Sequence, residues 1–262
     1  MSDQTILFEM TGGIARLTLN RPERLNSFNT AMHAQMRDAL ARVQAGGARV
    51  LVITGAGRAF CAGQDLGDRA IAPGGAAADL GVSIEQHYKP LVLALRQLPL
   101  PVLAAVNGVA AGAGANIALA CDLVIAARSA SFIQAFSRIG LVPDSGGTWS
   151  LPRLVGPARA MGLAMLAEKL PAQQAADWGL IWRCIDDEDF AGEVDTIARQ
   201  LACAPTGALA RTKQLMHAGW GRTLEQQLDA ERDAQRELGF SADYAEGVAA
   251  FIGKREPQFT GR

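Results

Sequence analysis

The sequence predicts an α/β protein, and two observations support this prediction. The apolar runs VLVIT (50–54) and PVLAAV (101–106) each enter a glycine-rich loop, and a third apolar run, DLVIAA, follows at 122–127. Short apolar runs bounded by glycine are typical of buried strands. The carboxy-terminal third changes to Ala, Leu, Gln and charged residues, which favour helices. With 262 residues and 49% hydrophobic content, the chain can supply a full core.

The amino-terminal segment predicts a hairpin followed by an amphipathic helix. Residues 5–20, TILFEMTGGIARLTLN, place two β-prone runs around a pair of glycines. Asn29 or Thr30 can cap the helix that follows. Its apolar side chains recur at spacings of four, four and three, on one helical face: Met32, Met36, Leu40 and Val43.

Two further segments carry local signals. Thr223 with Gln226 three positions later forms a capping box for a helix that displays Leu224, Leu228 and Leu238. Residues 67–81, GDRAIAPGGAAADLG, are rich in Ala, Gly and Pro, which predicts a mobile loop that covers a site.

Composition excludes several classes of function. Lys plus Arg number 25 against 26 for Asp plus Glu, so nucleic acid and anionic membranes are not the expected partners. The start of the chain lacks the pattern of a secretion signal, and no apolar run reaches the roughly 20 residues of a membrane span. Four widely spaced cysteines predict reduced packing residues in a cytoplasmic protein, with no metal site: Cys61, Cys121, Cys184 and Cys203.

The glycine-rich loops do not match nucleotide-binding motifs. Both lack the third glycine of the dinucleotide fingerprint, and no Lys-Ser/Thr pair of a P-loop is present. The segment PDSGG also resembles the nucleophile segment of trypsin-like proteases, with Ser145 as nucleophile, but no histidine lies in the context that family requires. Two turns of small residues that run into helices instead expose backbone N–H groups, which can converge on an oxyanion.

The segment GLVPDSGGTW places Asp144 directly after apolar residues and before a glycine pair. Burial beside Val142 and Pro143 would desolvate the carboxylate, raise its pKa and make it a stronger base. The alternatives are a solvated acid in a turn or a structural cap, since SGGT can begin a helix.

Five motifs in order resemble those of the crotonase, or enoyl-CoA hydratase/isomerase, superfamily: NRPERLNSF (20–28), AFCAGQDL (59–66), AAVNGVAAGAGANIALACDLVIAA (104–127), IGLVPDSGGTWSLPRLVG (139–156) and EGVAAFIGKREPQF (246–259). The resemblance implies a spiral of ββα repeats in residues 1–195 and a helical region in 196–262 that forms a homotrimer or a dimer of trimers. It also implies an acyl-CoA thioester substrate, with no cofactor beyond the CoA that the substrate carries.

The resemblance assigns roles by position. The backbone N–H groups of Gln64 and Ala113 correspond to the oxyanion hole. Phe136 stands where hydratases carry a glutamate, and a phenyl ring at that position fits an apolar pocket for a substrate ring, with core packing as the alternative. The remaining positions correspond to residues that contact CoA or the substrate: Arg24, Leu25, Ala62, Asp65, Leu66, Phe251 and Lys254.

The catalytic positions indicate an isomerase. Hydratases of the family carry two glutamates where this sequence has Asn116 and Phe136, so water addition by that route is disfavoured. Asp144 stands where isomerase branches place an acid. The motifs are most similar to the branch that converts ring-epoxidised phenylacetyl-CoA to an oxepin and shifts double bonds from β,γ to α,β. Dienoyl-CoA isomerase, naphthoyl-CoA synthase, a hydrolase and a non-catalytic CoA-ester-binding scaffold remain alternatives.

Overall fold

A computed structural model describes residues 4–69 and 79–261 of the chain. Residues 70–78, most of the loop predicted at 67–81 to cover a site, lie outside the described residues. None of the described helices is both long and apolar enough to span a membrane.

The strands form two sheets. The six-stranded sheet has the order β1-β2-β3-β5-β7-β10, with β1 Ile6–Thr11, β2 Ile14–Leu19, β3 Val50–Gly55, β5 Val102–Val106, β7 Leu123–Ala127 and β10 Arg183–Ile185. The four-stranded sheet has the order β4-β6-β8-β9, with β4 Ala59–Cys61, β6 Val109–Ala111, β8 Ser131–Ile133 and β9 Leu170–Pro171. The predicted hairpin is confirmed as the antiparallel pair β1 and β2.

The two sheets arise from one repeated unit. In each repeat the first strand joins the large sheet and the second joins the small one, as in β3 then β4, β5 then β6, and β7 then β8. Neighbouring repeats pair in parallel in both sheets. A helical segment follows each pair before the next repeat begins. The ββα spiral expected from the family resemblance is therefore confirmed.

The helices connect and cover these sheets. They are α1 Thr30–Ala45, α2 Leu80–Ser83, α3 Lys89–Gln97, α4 Ala113–Leu119, α5 Gly147–Leu166, α6 Ala172–Asp177, α7 Asp187–Cys203, α8 Thr206–Gly219, α9 Leu224–Leu238 and α10 Ala242–Ile252. Two predicted starts are confirmed: Asn29 caps α1 by accepting a hydrogen bond from the Met32 N–H, and Thr223 with Gln226 forms the capping box of α9.

The central strands are apolar throughout because both faces of the large sheet are covered. Leu51, Ile53 and Ala104 face the main core, whereas Val52 and Leu103 face a second cluster. That second cluster contains three residues of α7: Val194, Ile197 and Ala198. Side chains alternate between the two faces of a strand, so a strand covered on both sides is a continuous apolar run.

Helix α8 is fastened to the core of the same chain. Lys213 of α8 is buried and forms an ion pair of 2.8 Å with Asp122. Its ammonium also donates to the Leu95 and Leu100 carbonyls, at 2.8 and 3.3 Å. The predicted boundary between residues 195 and 196 falls inside α7, the helix that packs on the sheet.

Burial raises the pKa of Asp122, while the charge and hydrogen bond of Lys213 act in the opposite direction. Removing Lys213 leaves a buried acid without its cation. We therefore expect Lys213→Met to lower the free energy of unfolding by about 3–5 kcal/mol, the usual cost of breaking one side of a buried ion pair.

Urea denaturation at a fixed protein concentration measures this loss. The matched control is Lys89→Met, because Lys89 forms an exposed ion pair with Glu85 one helical turn away, and such pairs contribute only about 0.2–0.5 kcal/mol. Equal stability of the two variants would show that the Lys213 pair does not hold α8 to the core.

Candidate active site

Two glycine-bearing loops, which follow β4 and β6, contact each other. Gly63, after β4, adopts the left-handed conformation with φ of +91°. A Cβ atom at Gly63 would lie 3.0 Å from the Ala111 carbonyl oxygen and 3.3 Å from the Ala113 nitrogen. The residue before Gln64 therefore lies directly against the start of α4.

The start of α4 is equally constrained. Gly112 caps the helix with φ of +53° and no side-chain hydrogen bond, and Ala113 is the first helical residue. The first N–H groups of a helix have no partner within the helix, and the helix dipole adds positive charge there. Gly114 of α4 packs on Cys61, the last residue of β4, where a Cβ atom would overlap the Cys61 backbone. The two segments thus contact each other through glycine in both directions.

The Gln64 amide points away from its strand neighbour. Phe28 donates its N–H to the Gly63 carbonyl at 2.7 Å and accepts from the Asp65 N–H at 2.9 Å. Phe28 and Gln64 form a parallel bridge, and both of its hydrogen bonds use the N–H and carbonyl of Phe28. The N–H and carbonyl of Gln64 therefore point away from Phe28. The Gln64 side chain is held separately, since its Oε1 accepts from the Tyr88 hydroxyl at 2.8 Å.

Asp65 is paired with Arg21 in an ion pair of 2.9 Å whose side chains are both 14% exposed. Desolvation raises the pKa of Asp65, but hydrogen bonds from Arg21 and the Gly67 N–H, with the charges of Arg21 and Arg24, outweigh it and lower that pKa. Leu66, next in the chain, is exposed. Asp65 is therefore ionised, and its ion pair links the loop after β4 to Arg21 in the segment NRPERLNSF (20–28).

The three remaining residues predicted to contact CoA near the loops are brought together. The Ala62 N–H donates to the Leu25 carbonyl at 2.9 Å, and Arg24 is exposed one residue before Leu25. Buried Asn26 fixes this segment, because its amide donates to the Ala56 and Ala59 carbonyls at 2.9 and 2.8 Å.

Phe251 and Lys254 lie elsewhere in the chain. Phe251 is 86% exposed near the end of α10. It lines a cavity of about 480 Å³ whose other walls come from the residue 205–248 region and Phe259. Lys254 follows α10 with φ of +48°. None of the residues that line this cavity belongs to the loops that carry Gln64 and Ala113.

Asp144 lies on a tight turn that precedes α5. Its carbonyl accepts from the Gly147 N–H and from the Asn116 side-chain amide, both at 2.8 Å. Its carboxylate accepts from the Ser145 hydroxyl at 2.9 Å. Asp144 is half-buried, and Val142 is 75% exposed in the single chain. Val142 therefore contributes little to its desolvation.

Asn116 and Phe136, at the two hydratase positions, are both buried. Asn116 donates to the Asp144 turn and accepts from the Gln134 amide at 2.8 Å. Phe136 approaches the start of α4, where a Cβ atom at Gly112 would lie 3.8 Å from its ring. An amide and a phenyl ring cannot act as general acid or base at neutral pH. Within the described residues, no group of three or more His, Cys, Asp and Glu side chains could hold a metal ion.

Sequence reasoning missed Gly63, Asn26 and Tyr88. Gly63 contacts the start of α4, Asn26 fastens the chain before and at β4, and Tyr88 holds the Gln64 side chain. Gly63 is one of several glycines with a positive φ, and its close contact with Ala111 distinguishes it. Asn26 also has a positive φ, of +57°, which asparagine tolerates better than most residues. The available signal for such a turn was the presence of Asn26 in the segment 20–29, which contains three asparagines.

Comparisons with known proteins agree with this architecture. The family model described as enoyl-CoA hydratase/isomerase matches residues 9–262. The chain is 57% identical over 258 residues to 1,2-epoxyphenylacetyl-CoA isomerase of Escherichia coli K12, with 98% of each chain covered. It is 54% identical over 264 residues to a protein of Rhodobacter capsulatus named "Probable enoyl-CoA hydratase", with both chains fully covered.

A solved structure gives the same result for the fold. The crystal structure of enoyl-CoA hydratase from Bacillus anthracis superposes with a TM-score of 0.92 at 32% identity, covering 99% of this chain and 100% of that one. A family match over nearly the whole chain and two relatives above 50% identity identify the family. The chain belongs to the enoyl-CoA hydratase/isomerase family, the crotonase superfamily.

Proposed function

We propose that this protein is an acyl-CoA isomerase that moves a proton between carbon atoms of its substrate. Asp144 is the base, and the backbone N–H groups of Gln64 and Ala113 bind the thioester oxygen. One observation carries the proposal: Asp144 lies on a turn fastened to the helix that begins at Ala113, through Asn116. The carboxylate and one amide donor thus belong to one connected unit.

The proposed reaction for a β,γ-enoyl-CoA has two proton transfers. The Asp144 carboxylate removes a proton from the carbon next to the thioester, and the electron pair moves onto the carbonyl oxygen. The two amides stabilise this enolate, a device worth about 3–4 kcal/mol per donor in other enzymes. The protonated Asp144 then returns the proton to the γ carbon, which leaves the double bond in the α,β position.

We propose ring-epoxidised phenylacetyl-CoA as the principal substrate. The name of the Escherichia coli relative, 1,2-epoxyphenylacetyl-CoA isomerase, supports this choice. In that reaction a proton leaves the side-chain carbon next to the thioester and returns to a ring carbon. The carbon–carbon bond shared by the epoxide and the six-membered ring opens, giving the seven-membered oxepin. Substrate and product have the same composition, and CoA enters only as part of the substrate.

The name of the Rhodobacter capsulatus relative suggests hydration instead. Hydration requires groups that activate water and deliver a proton, and Asn116 and Phe136 provide neither. The product mass distinguishes the two functions, because hydration adds one water and isomerisation adds nothing.

Asp144→Asn tests the proposed base, because asparagine keeps the size of aspartate but cannot accept the proton. We expect turnover of both substrates without a mass change, and a loss of at least about a hundredfold in kcat in the variant, the low end of general-base contributions. Absorbance and mass spectrometry of the CoA esters follow both substrates. Full turnover by the variant would remove Asp144 from the mechanism, and a heavier product would establish a hydratase.

Gly63→Ala tests the two-amide site. The added methyl meets the Ala111 carbonyl and forces an L-residue into a φ of +91°, which separates the loops. We expect kcat to fall about a hundredfold, the effect of losing one oxyanion donor. Gly12→Ala is the matched control, because Gly12 has a φ of +60° with open space around it and lies in the β1–β2 turn. Equal kcat values for the two variants would contradict the proposed role of this contact.

We also propose that the chain forms a homotrimer or a dimer of trimers. Support comes from large apolar side chains that are exposed on α8, α9 and α10 and directly after α8: Met216, Trp220, Leu224, Leu228, Tyr244, Phe251 and Ile252. In this assembly Phe251 and Lys254 would approach the CoA of a neighbouring subunit. Sedimentation equilibrium is expected to give three or six times the 27.6 kDa chain mass, and a monomer at micromolar concentration would contradict the proposal.

A further inference from the structure

We propose that Asn116 and Gln134 form a positioning pair that sets the location of the Asp144 base relative to the oxyanion site. This inference rests on the proposed function and adds a role for the position where hydratases carry a glutamate. Asn116 is 2% exposed and Gln134 is 4% exposed, so both amides lie in the interior. Both polar atoms of the Asn116 amide are hydrogen-bonded, whereas the Gln134 Oε1 is buried without a partner among the described residues. The Gln134 amide is therefore held through its Nε2 alone.

The orientation of the Asn116 amide follows from its partners. Its Nδ2 faces the Asp144 carbonyl at 2.8 Å, and a carbonyl can only accept. Its Oδ1 accepts from the Gln134 Nε2, also at 2.8 Å. Gln134 therefore fixes the rotation of the Asn116 amide, and Asn116 in turn fixes the turn that carries Asp144.

The turn needs this external support because its backbone is strained. Ser145 has φ of +50°, in the left-handed region, and Gly146 follows with φ of +85°, which glycine adopts without strain. A non-glycine residue in the left-handed region persists where surrounding contacts hold it. Gly147 then packs so closely on Asn116 that a side chain there would overlap the amide. Contact and hydrogen bond together hold residues 144–147 against α4.

The position of Asn116 on α4 links the Asp144 turn to the Ala113 amide. Ala113 and Asn116 are three residues apart in the same helix, and residues at this spacing lie on one helical face. One buried helix thus carries an amide donor for the thioester oxygen and, through Asn116, the turn of the base. A displacement of about 1 Å between reacting groups can cost about a hundredfold in rate.

The test compares Asn116→Ala and the nearly isosteric Asn116→Leu with wild type, using 3-hexenoyl-CoA. We expect kcat to fall about ten- to a hundredfold while KM changes less than about threefold, because the pair positions the base and does not bind substrate. Gln134→Leu is expected to show a smaller loss in the same direction. Gln173→Ala, which removes an exposed amide on α6, is the control and retains wild-type kcat.

A double-mutant comparison separates positioning from general damage. Residual proton exchange by Asp144→Asn is measured with excess enzyme over hours, by deuterium uptake into the substrate. Adding Asn116→Ala to this background is expected to change the rate less than about twofold, because both changes act through the same group. An equal loss in both backgrounds would overturn the proposal, as would wild-type kcat in both Asn116 variants.

Amide hydrogen exchange provides a readout that does not need activity. The Gly147 N–H donates to the Asp144 carbonyl, and we expect the 143–148 segment to exchange at least about tenfold faster in Asn116→Ala and Asn116→Leu. Unchanged exchange overturns the positioning role. A further outcome separates this proposal from the proposed function. If wild type does not isomerise the substrate but the Asn116 variants exchange faster, the pair still positions the turn, and the proposed function is rejected.

Discussion

The proposed site depends on the close approach of two backbone segments that only glycine permits. Gly63 lies against Ala111 and Ala113, and Gly114 lies against Cys61. Because each loop leaves space for the backbone of the other, the distance between the two amide donors is set by contact in both directions. Close-packed protein interiors have low compressibility, so the two segments cannot move closer together. The parallel strands β4 and β6 lead into these loops and give the contact a rigid base.

Three asparagines, of which Asn26 and Asn116 are buried, fasten the chain around this contact. Asn26 donates to the carbonyl of Ala56, in the loop between β3 and β4, and to that of Ala59, the first residue of β4. Asn107 accepts from the Gly55 N–H and donates to the Gly57 carbonyl, which ties the repeat of β5 to that of β3. Asn116 holds the Asp144 turn. Asparagine can hold neighbouring backbone segments together because its short, uncharged side chain both donates and accepts hydrogen bonds.

Much of the fold was predictable because its signals are local. The apolar runs at 50–54, 101–106 and 122–127 correspond to central strands, and the caps at Asn29 and Thr223 mark helix starts as predicted. A strand buried on both faces and a capped helix each have a pattern that a short window of sequence contains.

The geometry of the site was less predictable because it depends on contacts distant in sequence. The family resemblance supplied the loop positions, but the packing of Gly63 on Ala111 joins residues nearly fifty positions apart. The environment of Asp144 shows the same limit. An apolar segment before an acid suggested that Val142 would cover it, yet Val142 faces outward. At a turn the sequence contains no periodicity from which the direction of a side chain follows.

The pairing of Arg21 with Asp65 has an electrostatic consequence for the neighbouring amide. Asp65 follows Gln64 directly, so an uncompensated carboxylate there would repel negative charge that develops on a bound thioester oxygen. Arg21 cancels that charge within the protein at a separation of 2.9 Å. An enolate at the proposed position would therefore experience mainly the dipoles of the two N–H groups and of α4, without a competing anion one residue away.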